Sequence, residues 1–403
     1  MTENIKYIET SIGLIPSDWK VQKLGSLGKV ISGLTYSPDD VKENGILVLR
    51  SSNIQDRQLV FDDNVFVNVE DENFNPVQKN DILICVRNGS KSLIGKNALI
   101  TDKIQGVAFG AFMAIFRSEY NNYLFQIFGT DLYQKEIHKN LGATINSING
   151  SDLKEFKIPV PPIAEHQKIA KILSTWDVAI DNCKAIIEEL KIRNKGLSQK
   201  LLTGKIRINE FSDKWKIYSL GNVTENFSRR NKSLIDARIY SVTNSNGFVL
   251  QSDHFSREVA GSDLDNYKII KRNEFAYNPA RINVGSIAFF SEDVGVISSL
   301  YVCFKTNDLI LDGYLYEWLK LDKTIHDINR YGEGGVRVYL WYDLFKTIKI
   351  NLPDINEQRA IVDLLEKGNI EIKQSQQKLQ TLQLQKKGLM QQLLTGKVRV
   401  NIS

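Results

Sequence analysis

Cysteine is scarce in this chain: Cys85, Cys183 and Cys303 are its only three. They lie far apart and are odd in number, which argues against a disulfide framework and suits a reducing compartment. Histidine is almost as rare. His138, His166, His254 and His326 show none of the spacings of a zinc site, so they read as structural or exposed residues. No apolar run is long enough to span a bilayer, and Met1 to Thr10 is polar and mixed in charge, without the apolar core of a secretory signal. The expected compartment is the cytoplasm.

Catalytic signatures are missing as well. No Gly-x-x-x-x-Gly-Lys-Ser/Thr phosphate loop is present, since Leu-Thr-Gly-Lys is followed by Ile206 or Val398. An adenine methyltransferase needs an Asn/Asp-Pro-Pro-aromatic motif. The nearest match, Asn278-Pro-Ala-Arg281, lacks the second proline and the aromatic. Gly332-Glu-Gly-Gly335 follows no convincing strand of a βαβ unit, so it does not read as a cofactor loop. Glu189-Leu-Lys191 has a spacing seen in metal-dependent nucleases but falls inside a helical stretch, where it reads as solvated face. The net charge of +5 permits nucleic-acid binding without demonstrating it.

What the chain does have is a long internal repeat. Gly196-Leu-Ser-Gln-Lys-Leu-Leu-Thr-Gly-Lys-Ile-Arg-Ile-Asn209 recurs as Gly388-Leu-Met-Gln-Gln-Leu-Leu-Thr-Gly-Lys-Val-Arg-Val-Asn401, an offset of 192 residues. The same offset aligns Pro161-Pro-Ile-Ala-Glu-His-Gln-Lys-Ile169 with Pro353-Asp-Ile-Asn-Glu-Gln-Arg-Ala-Ile361. Near the start, Asp18-Trp-Lys-Val-Gln-Lys-Leu-Gly25 echoes Lys214-Trp-Lys-Ile-Tyr-Ser-Leu-Gly221 at an offset of 196. Three blocks in one order establish a duplicated unit.

Each unit begins with a mixed α+β part. Its β-rich runs are 46–49, 81–86 and 112–116 in the first copy, and 238–242, 275–277 and 301–304 in the second. A helical stretch follows, over 123–139 and 314–330. Each unit ends in a long helix of about 40 residues, roughly 60 Å. Pro159, Pro161, Pro162 and Pro353 mark the entries, and Gly204 and Gly396 the exits. Alternating three- and four-residue spacing predicts a coiled-coil seam of Ile169, Ile172, Trp176, Ala179, Cys183, Ile186 and Leu190 in the first helix. In the second the frame holds Leu365, Ile372, Leu379, Leu382, Leu389 and Leu393, with Gly368, Ser375 and Lys386 at seam positions. The expected architecture is a pseudo-two-fold tandem repeat: two similar α+β domains, 1–158 and 205–350, separated by two long antiparallel helices, 159–204 and 351–403.

The run Ile12-Gly-Leu-Ile-Pro-Ser-Asp-Trp-Lys20, Leu24-Gly25, the Pro-Pro-Ile-Ala-Glu-His-Gln at 161–167 and the duplicated Leu-Leu-Thr-Gly-Lys resemble the specificity subunit of Type I restriction-modification enzymes. The resemblance covers essentially the whole chain. It implies a non-catalytic subunit that binds double-stranded DNA, each target-recognition domain reading one half of a split, asymmetric sequence. It also implies two methyltransferase (modification) subunits as partners, with restriction subunits that translocate and cut DNA. S-adenosylmethionine, ATP and magnesium would be used by those partners, with no cofactor in this chain. The alternatives are a free-standing sequence-specific DNA-binding protein and a coiled-coil scaffold.

Under this resemblance, the DNA readers are sought among polar and basic residues at strand ends and in the loops after them. In the first domain these are Arg50, Ser51, Asn53, Arg87, Asn88, Ser90 and Lys91; in the second, Asn244, Asn246, Asn278, Arg281 and Asn283. Arginine pairs bidentately with guanine and asparagine with adenine, while lysine and serine hold phosphates. Arg229, Arg230 and Lys232 form a basic cluster suited to phosphate contact. Arg337, in a glycine-rich segment, is a further candidate.

Overall fold

The computed structural model describes residues 6–68, 74–104, 106–141, 146–235, 237–244, 246–254, 264–331 and 339–402. The chain divides into two compact units, Met1–Lys184 with Gln377–Ser403, and Ala185–Gln376. The division falls inside each long helix, so each unit holds one globular part and a piece of both helices.

In the first unit an antiparallel four-stranded sheet runs in the order Asn97–Leu99, Ile82–Cys85, Met113–Arg117, Lys29–Ser32. Its counterpart in the second unit runs Ile287–Phe289, Phe275–Tyr277, Val302–Thr306, Thr224–Phe227. Each unit has a second four-stranded sheet built around a parallel pair: Ile46–Leu49 with Ala108–Phe109 in one, Ile239–Thr243 with Val294–Ile297 in the other. The strands added to that pair differ between the units, so this sheet is where the copies diverge. The helical stretch after the last sheet strand is two helices in each unit, Asn121–Ile127 and Asp131–Asn140, and Asp312–Leu319 and Asp322–Tyr331.

A two-stranded ribbon closes each globular part onto itself. Lys20–Lys23 pairs with Lys157–Val160, and Lys216–Ser219 with Lys349–Leu352. The echo of Trp-Lys-Val and Trp-Lys-Ile in the sequence marks the first strand of this ribbon.

The long helices run Ile163–Leu201 and Ile355–Leu393. At the first entry Pro162 O accepts from Glu165 N and His166 N, each at 3.0 Å. At the second, Asp354 Oδ1 accepts from Asn356 N and Glu357 N, satisfying amides that a helix start otherwise leaves unpaired. Both exits are built alike. Gly204 and Gly396 have φ of +71° and +70°, and their amides donate to Leu201 O and Leu393 O at 3.1 and 3.3 Å. The amides of Ile206 and Val398 reach six residues back to Lys200 O and Gln392 O at 3.2 Å, so a left-handed glycine turns the chain back over the last carbonyls of each helix.

Within each unit the two helix pieces are antiparallel, as their contacts run in opposite senses. In the first unit Glu165 meets Arg399 and Asp177 meets Lys386. In the second, Arg193 meets Glu371 while Glu357 meets Arg207. The second helix turns its stripe inward on the predicted frame, with Leu365 and Leu393 buried and Ile372, Leu379, Leu382 and Leu389 partly buried. The first buries Ile169, Leu173, Ile180, Cys183, Ile187 and Leu190. Ile169, Cys183 and Leu190 were expected on the seam, but Ile172 and Ala179 are only partly covered and Ile186 is exposed. Apolar neighbours at 172–173, 179–180 and 186–187 satisfy either frame, and the helix takes the one that its second copy uses 192 residues later.

Each core joins globular part and helices. Ile169, Ala170, Leu173, Leu393 and Leu394 pack with Trp19, Tyr123 and Phe156 in the first unit. Leu201, Leu202, Ile361 and Leu365 pack with Leu220, Tyr314 and Ile350 in the second. Each fully buried leucine contributes about 1.5–3 kcal/mol. A hairpin, Ile54–Gln55 with Gln58–Leu59, also lies against the first helix. Its turn residues Asp56 and Arg57 have φ of +48° and +64°. Gln58 donates to Asp181, and Arg57 sits 4.0 Å over the Phe125 ring. Gly129 leaves the space that the Arg57 guanidinium occupies.

Candidate nucleic-acid interface

In the first unit, strand Ile46–Leu49 ends in Arg50 and a short 3-10 turn, Ser51–Asn53. Strand Ile82–Cys85 ends in the loop carrying Arg87, Asn88, Ser90 and Lys91. The fold brings these two segments together: Asn88 Nδ2 donates to Ser51 Oγ at 3.0 Å, and Lys96 Nζ reaches Ser51 O. A cavity of about 640 Å³ opens beside them, lined in part by Tyr36, Arg50, Ser51, Ser52, Asp63 and Phe112. Arg50 donates to Asp63 Oδ2 at 2.8 Å, while its Nε and the Ser52 hydroxyl are buried with no partner among the described residues. Arg87, Ser90 and Lys91 are exposed.

Asn53 is a correction. Its side chain is fully buried, Oδ1 accepting from Arg50 N at 2.9 Å and Nδ2 donating to Val60 O at 3.0 Å. It holds the turn that presents Arg50 and has no face left for a base, because an amide buried in this way must spend its polar groups inside the fold.

In the second unit Asn244 and Asn246 are exposed at the end of strand Ile239–Thr243. The loop after Phe275–Tyr277 carries Asn278, Arg281 and Asn283 and lies against that turn, with Gly285 at φ +92° packed on Asn244 O. Asn278 Oδ1 accepts from Ala280 N at 3.0 Å, shaping the loop. Arg281 is exposed and its guanidinium has no partner among the described residues. The two candidate groups therefore occupy the same place in their units, at the ends of matching strands.

The basic cluster lies elsewhere in the second unit, along strand Lys268–Lys271. Ile269 N donates to Arg229 O, and Arg230 forms a bridge with Lys268. Arg229 is ion-paired to Glu274 and sits 4.3 Å from the Phe227 ring, so its charge is already neutralised. Arg230 is exposed and donates to Asn266 Oδ1, and Lys232 is exposed. Arg337 lies outside the described residues.

Cys85 and Cys303 sit under these surfaces as buried thiols, and burial pushes both up to about 11. At neutral pH they are protonated and poor nucleophiles. Among the described residues no three His, Cys, Asp or Glu side chains gather as a metal site would require.

Sequence reasoning passed over one repeated constellation. Glu165, wholly buried, accepts from Trp19 Nε1 at 3.0 Å and from Arg399 Nε and Nη2 at 2.6 and 2.7 Å. Glu357, also wholly buried, accepts from Trp215 Nε1 at 3.1 Å and from Arg207 Nε and Nη2 at 2.8 and 2.6 Å. The arginine that follows one helix thus grips the glutamate that opens the other. The signal was present, since all three residues belong to the duplicated blocks.

The description "Type I restriction modification DNA specificity domain" matches residues 16–192 and again 212–384. The MjaX specificity subunit, assigned to a type I restriction enzyme of Methanocaldococcus jannaschii, is 28% identical over 99% of this chain and 97% of its own length. The EcoKI specificity subunit of Escherichia coli is 29% identical over 51% of this chain and 46% of its own. In fold, the chain is similar to the S subunit of a type I restriction-modification system from M. genitalium, with a TM-score of 0.57 at 17% identity, covering 98% of this chain and 97% of that one. No helix among the described residues is long and apolar enough to cross a membrane. Both copies of the repeat carry the same domain, and the chain belongs to the family of type I restriction-modification specificity subunits.

Proposed function

We propose that the chain is the DNA-reading subunit of a cytoplasmic type I restriction-modification complex and does no chemistry itself. Each α+β domain reads one half of a bipartite double-stranded target. The observation that carries this reading is the pairing of like and unlike. The Glu-Trp-Arg clamps repeat in kind, and the ribbons and glycine-ended helices repeat in geometry, while the loops at matching strand ends differ: Arg50, Ser51 and Asn88 in one unit, Asn244, Asn278 and Arg281 in the other. Equivalent frameworks suit two copies of one methyltransferase partner. Unlike loops suit two different half-sites and so an asymmetric motif. Arg230 and Lys232 are exposed cations able to hold phosphates. The target adenine would leave the duplex for a pocket in the partner, where S-adenosylmethionine supplies the methyl group; ATP and magnesium would serve the restriction subunits.

The test is to express the chain with its methyltransferase partner and map methylated adenines across a genome by single-molecule sequencing. A split, asymmetric motif that vanishes when the chain is omitted is the expected result. Active methyltransferase with no chain-dependent motif would sink the proposal.

A further inference from the structure

Both reading loops lie beside large aromatic side chains that the core does not use. In the first unit Phe112 stands in the turn between Ala108–Phe109 and Met113–Arg117 and is 57% exposed, although Met113 beside it is buried. Its carbonyl accepts from Val86 N and Arg87 N at 3.0 and 3.1 Å, so the backbone alone holds the turn. The Arg87 guanidinium lies 5.7 Å from the ring centroid, and the ring helps line the cavity that Arg50 and Ser51 share.

In the second unit the aromatics come from another segment. Tyr339 and Trp341 are 37% and 50% exposed, with ring planes 15° apart and centroids at 6.4 Å. Leu340 between them is fully buried, and its amide donates to Pro279 O at 2.9 Å, pinning the pair beside the loop of Asn278 and Arg281. At the matching positions the first unit has Ser147 and Asn149, with Ile148 N bonded to Val86 O at 2.8 Å. The backbone contact is conserved between the copies while the aromatics are not. Each domain thus shows an aromatic surface at the same point of its fold, next to an exposed arginine, and recruits it from a different segment.

We infer that Phe112 in the first unit and the Tyr339–Trp341 pair in the second contact bases of their own half-sites, each laying a ring face against a base or base step. This rests on the DNA-reading role proposed above. Surface rings attract water poorly, and singly they need no explanation. Here they adjoin exposed cations that have no acidic partner among the described residues: Arg281, and Arg87, whose guanidinium lies 5.7 Å from the Phe112 ring centroid. An anionic ligand with flat apolar faces satisfies both features, and a nucleic acid has both. A protein partner would have to place carboxylates on both arginines as well as apolar surface on the rings, in two loops that differ in sequence.

The experiment uses the full chain in complex with its methyltransferase partner and two duplexes, one bearing the mapped motif and one of random sequence. Phe112→Ala and Trp341→Ala are each expected to lose roughly tenfold or more in affinity for the motif duplex, with random-duplex affinity within about twofold of wild type. Phe112→Tyr should restore most of the loss. Because the side chains are exposed, thermal melts should be unchanged. Trp341 should also be quenched by the motif duplex, and that signal should disappear in Trp341→Phe. Unchanged affinity, equal loss on both duplexes, or weakened methyltransferase association with DNA binding intact would each overturn the inference. A wild-type complex that fails to distinguish the two duplexes would instead remove the DNA-reading role itself, and the inference with it.

Discussion

His166 and Gln358 occupy the same position in the two copies and solve the same packing problem differently. His166 is buried against Tyr120, stacked at 4.7 Å, and Tyr123, edge-on at 5.8 Å. Gln358 accepts from Leu311 N at 2.9 Å and donates to Leu309 O and Pro353 O. Burial lowers the His166 imidazole below its ordinary value of about 6.5. The folded state therefore holds a neutral ring that the unfolded chain protonates first. Its stabilising effect is complete above the ordinary value and is lost as pH falls through it toward the folded value. Histidine-to-glutamine at 166 should flatten this acid-side loss of stability, measured as melting temperature between pH 7 and 5. An unchanged slope would place the acid sensitivity in other groups. At the proposed reading surface, Arg281→Ala should weaken binding to the specific site more than to random DNA, as titrated by anisotropy on both duplexes. Equal losses would reduce Arg281 to a phosphate contact.

At the scale of the element, the helix seam contains polar residues that a purely apolar pattern would reject. Gly368 lies where a side chain would collide with Asn194 of the facing helix, its Cβ falling 2.4 Å from Nδ2. Lys386 is mostly buried and pairs with Asp177, which also accepts from Gln126 Nε2 at 2.8 Å. Asn194 and Lys386 stand 192 residues apart, at one position of the repeat. Polar seam residues of this kind fix helix register at a cost in stability. Asp177→Ala alone leaves the Lys386 ammonium without its counter-ion and should cost on the order of 3 kcal/mol. Adding Lys386→Leu should recover most of that in urea melts; no recovery would mean that lost packing, not the stranded charge, makes the single change costly. The sequence announced these helices through period and end signals, and it carried the second seam in full. It left the first seam ambiguous because isoleucines and leucines flank both frames. The proposed reading loops were legible only as strand ends. Asn53 looked like a reader because its type suits adenine, yet its burial follows from a turn closed by Arg50 N and Val60 O, contacts that no local pattern encodes. Phe112 and Trp341 gave no signal, because exposure of an apolar residue is decided by the strands around it.

At the scale of the whole molecule, duplication gives each unit the same closure. One carboxylate, one indole and one arginine meet where a helix begins, and the arginine comes from the chain that follows the other helix. The Glu165 side chain is fully buried, and once its cation is removed Trp19 Nε1 is the donor left to its carboxylate among the described residues. Arg399→Ala should therefore cost about 3–5 kcal/mol, partly offset because Arg399 is itself 28% exposed and Asp18 regains solvent. Arg207→Ala makes the matching change in the other unit, where Lys214 stands in place of Asp18 and the guanidinium turns instead to Asp213 O at 2.7 Å. The two clamps share no partner, since Arg399 meets Asp18 and Glu165 while Arg207 meets Glu357 and Asp213. Changes at sites without shared partners add to within about 0.5 kcal/mol. The double variant should accordingly lose the sum of the two single losses in chemical denaturation of the intact chain. A double loss well below that sum would mean that opening one clamp already opens the other, and the units would then unfold as one cooperative body through the continuous helices they share.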